Sequence, residues 1–184
     1  MGGLDRALFH WINHWPDSLS PFFWFLSEGL KDSAVKIALA LLLIAIAIFS
    51  KRARPAVFLA IPAFLIANEL TDVLKHVFAM PRPSVAETDA ILRVGKLTSY
   101  GTASAHSANM AATATVFTAF TRWWGIPWIL LAILVGISRI YVGVHYPSQV
   151  LFGWLCGIFA GFLIVAMYAA WRRLKEREGE TVSG

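Results

Sequence analysis

Five long apolar segments constrain this 184-residue chain more than any other feature of its sequence. A helix that crosses the hydrocarbon core of a bilayer needs about 20 mostly apolar residues. Segments of this kind, each predicted to be one transmembrane helix, run over 34–50, 55–78, 104–121, 126–144 and 149–171. Hydrophobic residues make up 58% of the chain and charged residues only 15%, which leaves too little polar surface for a water-soluble domain. The sequence therefore predicts an all-α integral membrane bundle.

The first 30 residues are harder to assign to a span. Residues 4–15 carry apolar side chains at helical spacing, and Trp11 and Trp15 suit the lipid–water interface. Residues 21–30 are apolar but too few to span a bilayer alone. We interpret residues 1–30 as an interfacial helix followed by a shallow or re-entrant segment. The alternative is that residues 18–30 form a sixth span.

The whole chain, 1–184, is then a single membrane domain with a transmembrane core at 34–171 and a cytoplasmic tail at 172–184. The basic residues predict its orientation. Eight of them lie in the two loops and the tail that alternate on one side: Lys51, Arg52, Arg54, Arg122, Arg172, Arg173, Lys175 and Arg177. Only three lie in the one long loop, at 81–103, on the other side: Arg82, Arg93 and Lys96. By the positive-inside rule the long loop faces outward from the cell membrane.

The formal net charge of +5 raises the question of a nucleic-acid partner. However, no basic stripe interleaved with aromatic residues occurs, and the basic residues fall mostly between the apolar segments, as they do in membrane proteins. We expect no nucleic acid, and the sequence carries no prediction about oligomeric state. Three glycines spaced four residues apart, Gly153, Gly157 and Gly161, favour helix packing within the chain over a dimer face.

Three polar clusters meet at the predicted outer ends of the spans. The first contains Lys75 at the end of the second span and Arg82 after it, and the second contains Ser104, Ala105 and His106 at the start of the third span. The third contains Arg139 at the end of the fourth span, His145 after it and Gln149 at the start of the fifth. Three fixed cations at one depth are costly unless an anion joins them, and the guanidinium fork matches phosphate oxygens. The start of a helix adds unpaired backbone N–H groups. Two histidines can supply a nucleophile and a proton donor for phosphoryl transfer.

No group of Asp, Glu, His or Cys in the sequence has the spacing of a metal site, so the cations must stabilise charge that a metal stabilises elsewhere. We expect neither a metal nor a cofactor. His10 and His14 could bind a metal together, but no third ligand is evident, and interfacial packing is the preferred interpretation. Glu69 and Asp72 either pair with the cations of the site or face the bundle interior for structural reasons.

The order and spacing of these residues form three motifs that resemble those of a known family. The motifs are Lys75-x6-Arg82-Pro83, Ser104-Ala105-His106 and Ser138-Arg139-x5-His145. Together they resemble the three-part signature of the type 2 phosphatidic acid phosphatase superfamily, which also contains soluble vanadium haloperoxidases. The resemblance covers 75–149, and the five predicted spans fit the helical membrane core of that superfamily.

The resemblance implies a role for each residue. His145 attacks phosphorus and forms a phosphohistidine, while His106 protonates the leaving oxygen and then helps to activate water. The remaining residues hold the phosphoryl oxygens: Lys75, Arg82, Arg139, Ser104 and the backbone N–H of Ala105.

Three positions depart from the superfamily's usual pattern. Ala103 replaces a proline, and Ala105 replaces a glycine, which keeps the N–H but restricts φ. Gln149 replaces an aspartate that orients the nucleophilic histidine. Its side-chain oxygen can still accept the His145 N–H, but it supplies no negative charge to an imidazolium. We therefore expect a slower enzyme, or help from another carboxylate.

The expected activity is hydrolysis of a lipid phosphate or diphosphate, with undecaprenyl diphosphate as the first substrate implied by the resemblance. Phosphatidylglycerophosphate, phosphatidic acid and lipid A phosphates are the next substrates to consider. Two other functions stay open at this point. One is transfer of the phosphoryl group to a second lipid. The other is a degenerate site that binds lipid phosphates without hydrolysing them.

Overall fold

The computed structural model describes residues 2–182, and within that range the chain is helical with no strand. Eight α-helices follow one another: α1 (Gly3–Asn13), α2 (Ser20–Glu28), α3 (Ser33–Phe49), α4 (Arg54–Phe78), α5 (Pro83–Ala86), α6 (Ala105–Thr121), α7 (Ile126–Tyr141) and α8 (Pro147–Val182). The predicted all-α class is confirmed.

Each of the five predicted apolar segments is occupied by one of these helices, namely α3, α4, α6, α7 and α8. Side-chain caps begin two of them. Asp32 accepts hydrogen bonds from the backbone N–H groups of Ala34 at 2.8 Å and Val35 at 3.2 Å, and Ser104 caps α6 in the same way. Helix α8 runs beyond the predicted end at 171 because the polar residues that follow are good helix formers, and Arg172 pairs with Glu176 at 2.8 Å.

By length and apolar composition, three helical stretches could cross a membrane: Arg54–Ala86, Ala105–Tyr141 and Pro147–Gly179. A fourth is added if Asp17–Lys31 and Ser33–Phe49, which meet at 78°, form one broken span. The sequence predicts five spans. Fewer stretches meet the length of a span partly because α3, α6 and α7 have only 17, 17 and 16 residues. The chain is thus a helical membrane protein with three to four such stretches, and five to six spans stay a prediction.

Helices α6 and α7 fold back on each other although the helical conformation continues between them. Arg122 adopts a positive φ of 55° at the junction, which turns the chain. Phe117 of α6 then stacks on Trp128 of α7 with ring centroids 4.2 Å apart. Gly125 lies against Thr118, so a Cβ at Gly125 would be 2.4 Å from the Thr118 Oγ1. The stretch Ala105–Tyr141 is therefore a hairpin of two helices.

The glycines of α8 allow this helix to pack closely on α6 at the centre of the bundle. A Cβ at Gly157 would lie 2.1 Å from the carbonyl oxygen of Ala108, and one at Gly153 would lie 2.4 Å from that of Ser104. Such approaches exclude any larger residue without a backbone shift. The glycine stripe packs within the chain, as the sequence analysis preferred. This packing fixes the first turn of α6 against the start of α8.

Helix α1 lies against the end of the bundle where α7 ends and α8 begins. Its Asn13 side chain donates to the carbonyl oxygens of Ile91 and Tyr141, both at 2.9 Å, and accepts from the Ile91 N–H at 2.8 Å. Phe9 packs edge-on against Tyr146 with ring centroids 5.3 Å apart. The N-terminal helix is thus anchored to protein on one face, while Trp11 stays largely exposed on the other.

Candidate active site

His145 lies in the tight connection between α7 and α8 and is almost fully buried. The Arg82 Nη1 donates to its Nε2 at 2.7 Å, and its Nδ1 lies 3.1 Å from the Gln149 Oε1. A guanidinium can only donate, so Nε2 must carry a lone pair and Nδ1 the proton. The ring is therefore held in one tautomer, with Nε2 as the atom available for attack.

The Gln149 side chain is fixed at both ends. Its Oε1 also accepts from the backbone N–H of Tyr146 at 3.2 Å, and its Nε2 donates to the carbonyl of Pro81 at 2.8 Å. Gly101 packs directly on it, since a Cβ there would lie 2.8 Å from the Gln149 Oε1. The contact with His145 that the sequence predicted for Gln149 is present. Within 2–182, no carboxylate contacts the His145 ring.

Arg82 joins the long loop to the turn that holds His145. Its Nε donates to the Ser99 carbonyl at 2.7 Å, and its Nη2 donates to the Ser99 hydroxyl at 3.2 Å. Its Nη1 also reaches the Val144 carbonyl at 3.2 Å. The guanidinium is nearly buried, so the loop at 81–103 fixes one cation directly beside the Nε2 of His145.

Arg139 lies in the last turn of α7 and is only 2% exposed. Its Nη1 donates to the carbonyl and hydroxyl oxygens of Ser27 and, at 3.1 Å, to the Glu28 Oε1. The sequence analysis missed both α2 residues. The signal that could have found them is a Ser-Glu pair inside an otherwise apolar run, because a carboxylate in such a run needs a partner. Lys31 supplies a second cation to Glu28.

The remaining predicted residues lie on α6 and α4. Ser104 is buried and accepts from both the N–H and, at 2.9 Å, the hydroxyl of Ser107, which leaves its own hydrogen to donate. His106 is in the first turn of α6, beside Ala105, and its ring makes no hydrogen bond to another described residue.

Lys75, at the end of α4, forms an ion pair with Asp72 at 2.7 Å and is mostly buried. The alternative that Asp72 pairs with a cation of the site is therefore the correct one. Glu69 is exposed and has no contact with these cations in the described part of the chain. The structure thus brings His145, Gln149 and Arg82 into direct hydrogen-bond contact, while Arg139 is held by α2 and Lys75 by its own helix.

The electrostatic surroundings of His145 favour a neutral ring. Burial lowers the pKa of His145 well below its usual value, and the charges of Arg82 and Arg139 lower it further. A neutral imidazole keeps its lone pair, which an imidazolium lacks. The arrangement can therefore present a nucleophilic nitrogen beside fixed positive charge.

One group of potential metal ligands lies outside this site: His10, Glu87 and Asp89 have ligand atoms within 4.8 Å of one another. His14 does not belong to it, and its Nδ1 instead bonds to the His10 carbonyl at 2.9 Å. Arg6 donates to both Glu87 oxygens, at 2.8 and 2.6 Å, and Tyr146 donates to one of them. The hydrogen bond from Arg6, more than any other contact, lowers the pKa of Glu87 to about 2. The group fits an ion-pair network that anchors α1.

Comparison with known proteins decides the family. The sequence profile of the PAP2 superfamily matches residues 34–173, about three quarters of the chain. The chain belongs to the PAP2 superfamily. The resemblance drawn from the three motifs is confirmed, and the chain is a phosphatase of the membrane-embedded kind that acts on lipid phosphates.

Two curated relatives carry the same activity name. An undecaprenyl-diphosphatase of Sulfolobus acidocaldarius is 34% identical over 165 residues, which cover 89% of this chain and 78% of the relative. The undecaprenyl-diphosphatase BcrC of Bacillus subtilis is 29% identical over 155 residues, which cover 84% of this chain and 77% of the relative.

Two crystal structures share the fold. LpxE of Aquifex aeolicus superposes with a TM-score of 0.76 at 30% identity and covers 90% of this chain and 96% of its own. A transmembrane PAP2-type phosphatidylglycerolphosphate phosphatase of Bacillus subtilis gives a TM-score of 0.69 at 24% identity, covering 91% of this chain and 85% of its own. The second likeness concerns the fold alone.

Proposed function

We propose that the chain releases inorganic phosphate from undecaprenyl diphosphate by way of a phosphohistidine on His145. The observation that carries the proposal is the Nε2 of a neutral, buried His145, oriented by Gln149 and flanked by Arg82. The names of the two curated relatives supply the substrate. In a site without this nitrogen, the cations could bind phosphate but could not transfer it.

An apolar cavity of about 590 Å³ supports a lipid substrate. It opens between α2, α3, α4, α6 and α7 and is lined mainly by aliphatic and aromatic side chains. Its lining includes Asn109, one turn beyond His106, and Val135, one turn before Arg139. A lipid could place its phosphate among the cations and the first part of its chain in this cavity, because the two regions adjoin along α6 and α7.

The proposed chemistry has two steps. In the first, the Nε2 of His145 forms a bond to phosphorus as the bond from phosphorus to the bridging oxygen breaks, and His106 gives that oxygen a proton. Arg82 exchanges its contact with Nε2 for one with a phosphoryl oxygen. In the second step, His106 takes a proton from water, the resulting oxygen bonds to phosphorus, and the bond to Nε2 breaks. The Oε1 of Gln149 accepts a hydrogen bond from the Nδ1–H of His145 throughout.

The test is phosphate release by the purified protein in detergent, with a chelator present and no acceptor lipid. The substrates are undecaprenyl diphosphate, phosphatidylglycerophosphate, phosphatidic acid and lipid A. We expect the highest kcat/KM with undecaprenyl diphosphate, no loss of rate in chelator, and inhibition by vanadate, which mimics five-coordinate phosphorus. Dependence on an added divalent ion would contradict the mechanism. Release only when an acceptor lipid is supplied would identify a phosphotransferase instead.

The proposal includes five membrane spans, α3, α4, α6, α7 and α8, an interfacial α1, and a site that faces outward from the cell membrane. The bias of basic residues towards the opposite side supports this orientation. With the site on that side, a lipid of the outer leaflet could reach it without crossing the bilayer.

Labelling of single cysteines tests the orientation. In a background that lacks the native Cys156, an impermeant thiol reagent added to intact cells should label Thr88→Cys, in the exposed part of the long loop, and should not label Arg173→Cys. After permeabilisation both should be labelled, which controls for reactivity. The opposite pattern would place the site in the cytoplasm and remove lipids of the outer leaflet from the substrates.

A further inference from the structure

Among the described residues, Arg139 is held through one side-chain nitrogen only. All three of its hydrogen bonds leave from Nη1, two of them to Ser27 and one to Glu28. These acceptors lie at the end of α2. Ser27 precedes Arg139 by 112 positions in the sequence. The N-terminal segment thus fixes the direction in which this guanidinium points.

The opposite edge of the same guanidinium is unpaired in the described chain. The Nε is buried and has no hydrogen-bond partner, and no hydrogen bond from Nη2 occurs either. The Nε and Nη2 hydrogens point in parallel, which is the geometry that binds two oxygens of one phosphate. A buried donor without an acceptor costs free energy, and an anion on this edge would remove that cost.

The carboxylate of Glu28 is itself fixed on both sides. Its Oε1 accepts from Arg139 at 3.1 Å and from the Ser27 hydroxyl at 3.3 Å, while its Oε2 accepts from Lys31. The chain bends by 78° directly after this segment, between Asp17–Lys31 and Ser33–Phe49. The bend brings the end of α2 to the last turn of α7 before α3 departs.

We propose that Ser27 and Glu28 are positioning residues for Arg139: they hold Nη1 so that the Nε–Nη2 edge meets the phosphoryl oxygens of the substrate. This inference rests on the proposed function of the same site. An anion that binds the unpaired edge need not displace Glu28, since the carboxylate occupies the other side of the guanidinium. Lys31 offsets the negative charge that Glu28 brings close to the phosphate.

The competing arrangement is that Glu28 occupies the place of the phosphate and must leave before substrate binds. The two arrangements predict opposite signs. Removal of a positioning group weakens phosphate binding, because Arg139 is then free to rotate. Removal of a competitor strengthens phosphate binding.

The experiment measures binding of inorganic phosphate to the full-length protein in detergent by calorimetry, together with kcat/KM on lipid substrate. We expect Glu28→Ala to weaken phosphate binding about tenfold and to lower kcat/KM at least as much, in line with loss of a charge-assisted hydrogen bond. Glu28→Gln should lose less phosphate affinity, because its amide oxygen can still accept a hydrogen bond from Nη1. Arg139→Ala should bind phosphate more weakly than Glu28→Ala does. The double variant should bind phosphate as weakly as Arg139→Ala alone.

Asp17→Asn is the matched control. Like Glu28, Asp17 lies in the N-terminal segment and pairs with an arginine, but its partner is Arg93 and not Arg139. This variant should bind phosphate as the unmodified protein does. Tighter phosphate binding by Glu28→Ala, or losses that simply add in the double variant, would overturn the proposal. If Glu28→Ala fails to fold, Glu28→Gln and Ser27→Ala give the same comparison. Phosphate binding needs no lipid, so it tests this inference even if undecaprenyl diphosphate is not hydrolysed.

Discussion

Replacing His145 with alanine should lower phosphate release by more than about a thousandfold, because the variant lacks the atom that attacks phosphorus. Arg82 and Arg139 keep contacts to Ser99 and to Ser27 that do not involve the imidazole. The variant should therefore still bind inorganic phosphate, although more weakly. Steady-state phosphate release and calorimetric phosphate binding, measured on the same preparation, separate the two effects.

His76→Ala is the control for this experiment. His76 is an exposed histidine at the same end of the protein, and its Nδ1 contacts only the Asp72 carbonyl, at 2.7 Å. This variant should keep its turnover. If His145→Ala retained a rate near that of the unmodified protein, His145 could not be the nucleophile and the mechanism would be wrong.

Replacing His106 with alanine should lower turnover of phosphatidic acid by about a hundred- to ten-thousandfold, the range expected when a general acid is lost. The loss should depend on the leaving group. An alkoxide such as that of phosphatidic acid needs a proton as it departs, whereas a nitrophenolate does not. The ratio of His106→Ala to unmodified rates of His145 phosphorylation, measured in a single turnover, should therefore be much closer to one with nitrophenyl phosphate than with phosphatidic acid. The second step, in which His106 activates water, should be slowed equally with both substrates.

Equal losses in the rate of His145 phosphorylation on the two substrates would contradict the role of His106 as a proton donor and would indicate that it binds phosphate or only fills space. Ser107→Ala is a useful comparison, because Ser107 is the next residue of α6 and contacts Ser104 rather than the substrate in the proposed mechanism. Its effect should be small and independent of the leaving group.

The helices and the central residues of the site could be predicted because their signals are local. An apolar segment long enough to cross a bilayer as a helix predicts a transmembrane helix directly. His145 and Gln149 are four positions apart across a helix start, so their contact follows from spacing alone. Arg139 lies inside an apolar run of the sequence, and a cation there indicates function because its burial is costly.

The surroundings of Arg139 could not be predicted, because they depend on how distant segments meet. Ser27 lies 112 positions before Arg139, and no periodicity connects them. The same reason hid the network of Arg6, Glu87 and Tyr146, which joins α1, the long loop and the turn after His145. Sequence proximity indicates Glu69 and Asp72 as partners for the cations, because both lie on α4 together with Lys75. Asp72 does pair with Lys75, but the carboxylate that contacts Arg139 is Glu28, from the segment interpreted as shallow or re-entrant.

The most direct test of the central claim is to trap the covalent intermediate. Enzyme mixed with substrate labelled in its terminal phosphate, and quenched in alkali after a short time, should carry label that is stable to base and released by acid, as expected of a phosphohistidine. Peptide mapping should place the label on His145, and His145→Ala should carry none. Label on another residue, or turnover by the unmodified protein with no base-stable label at any quench time, would contradict a phosphohistidine on His145.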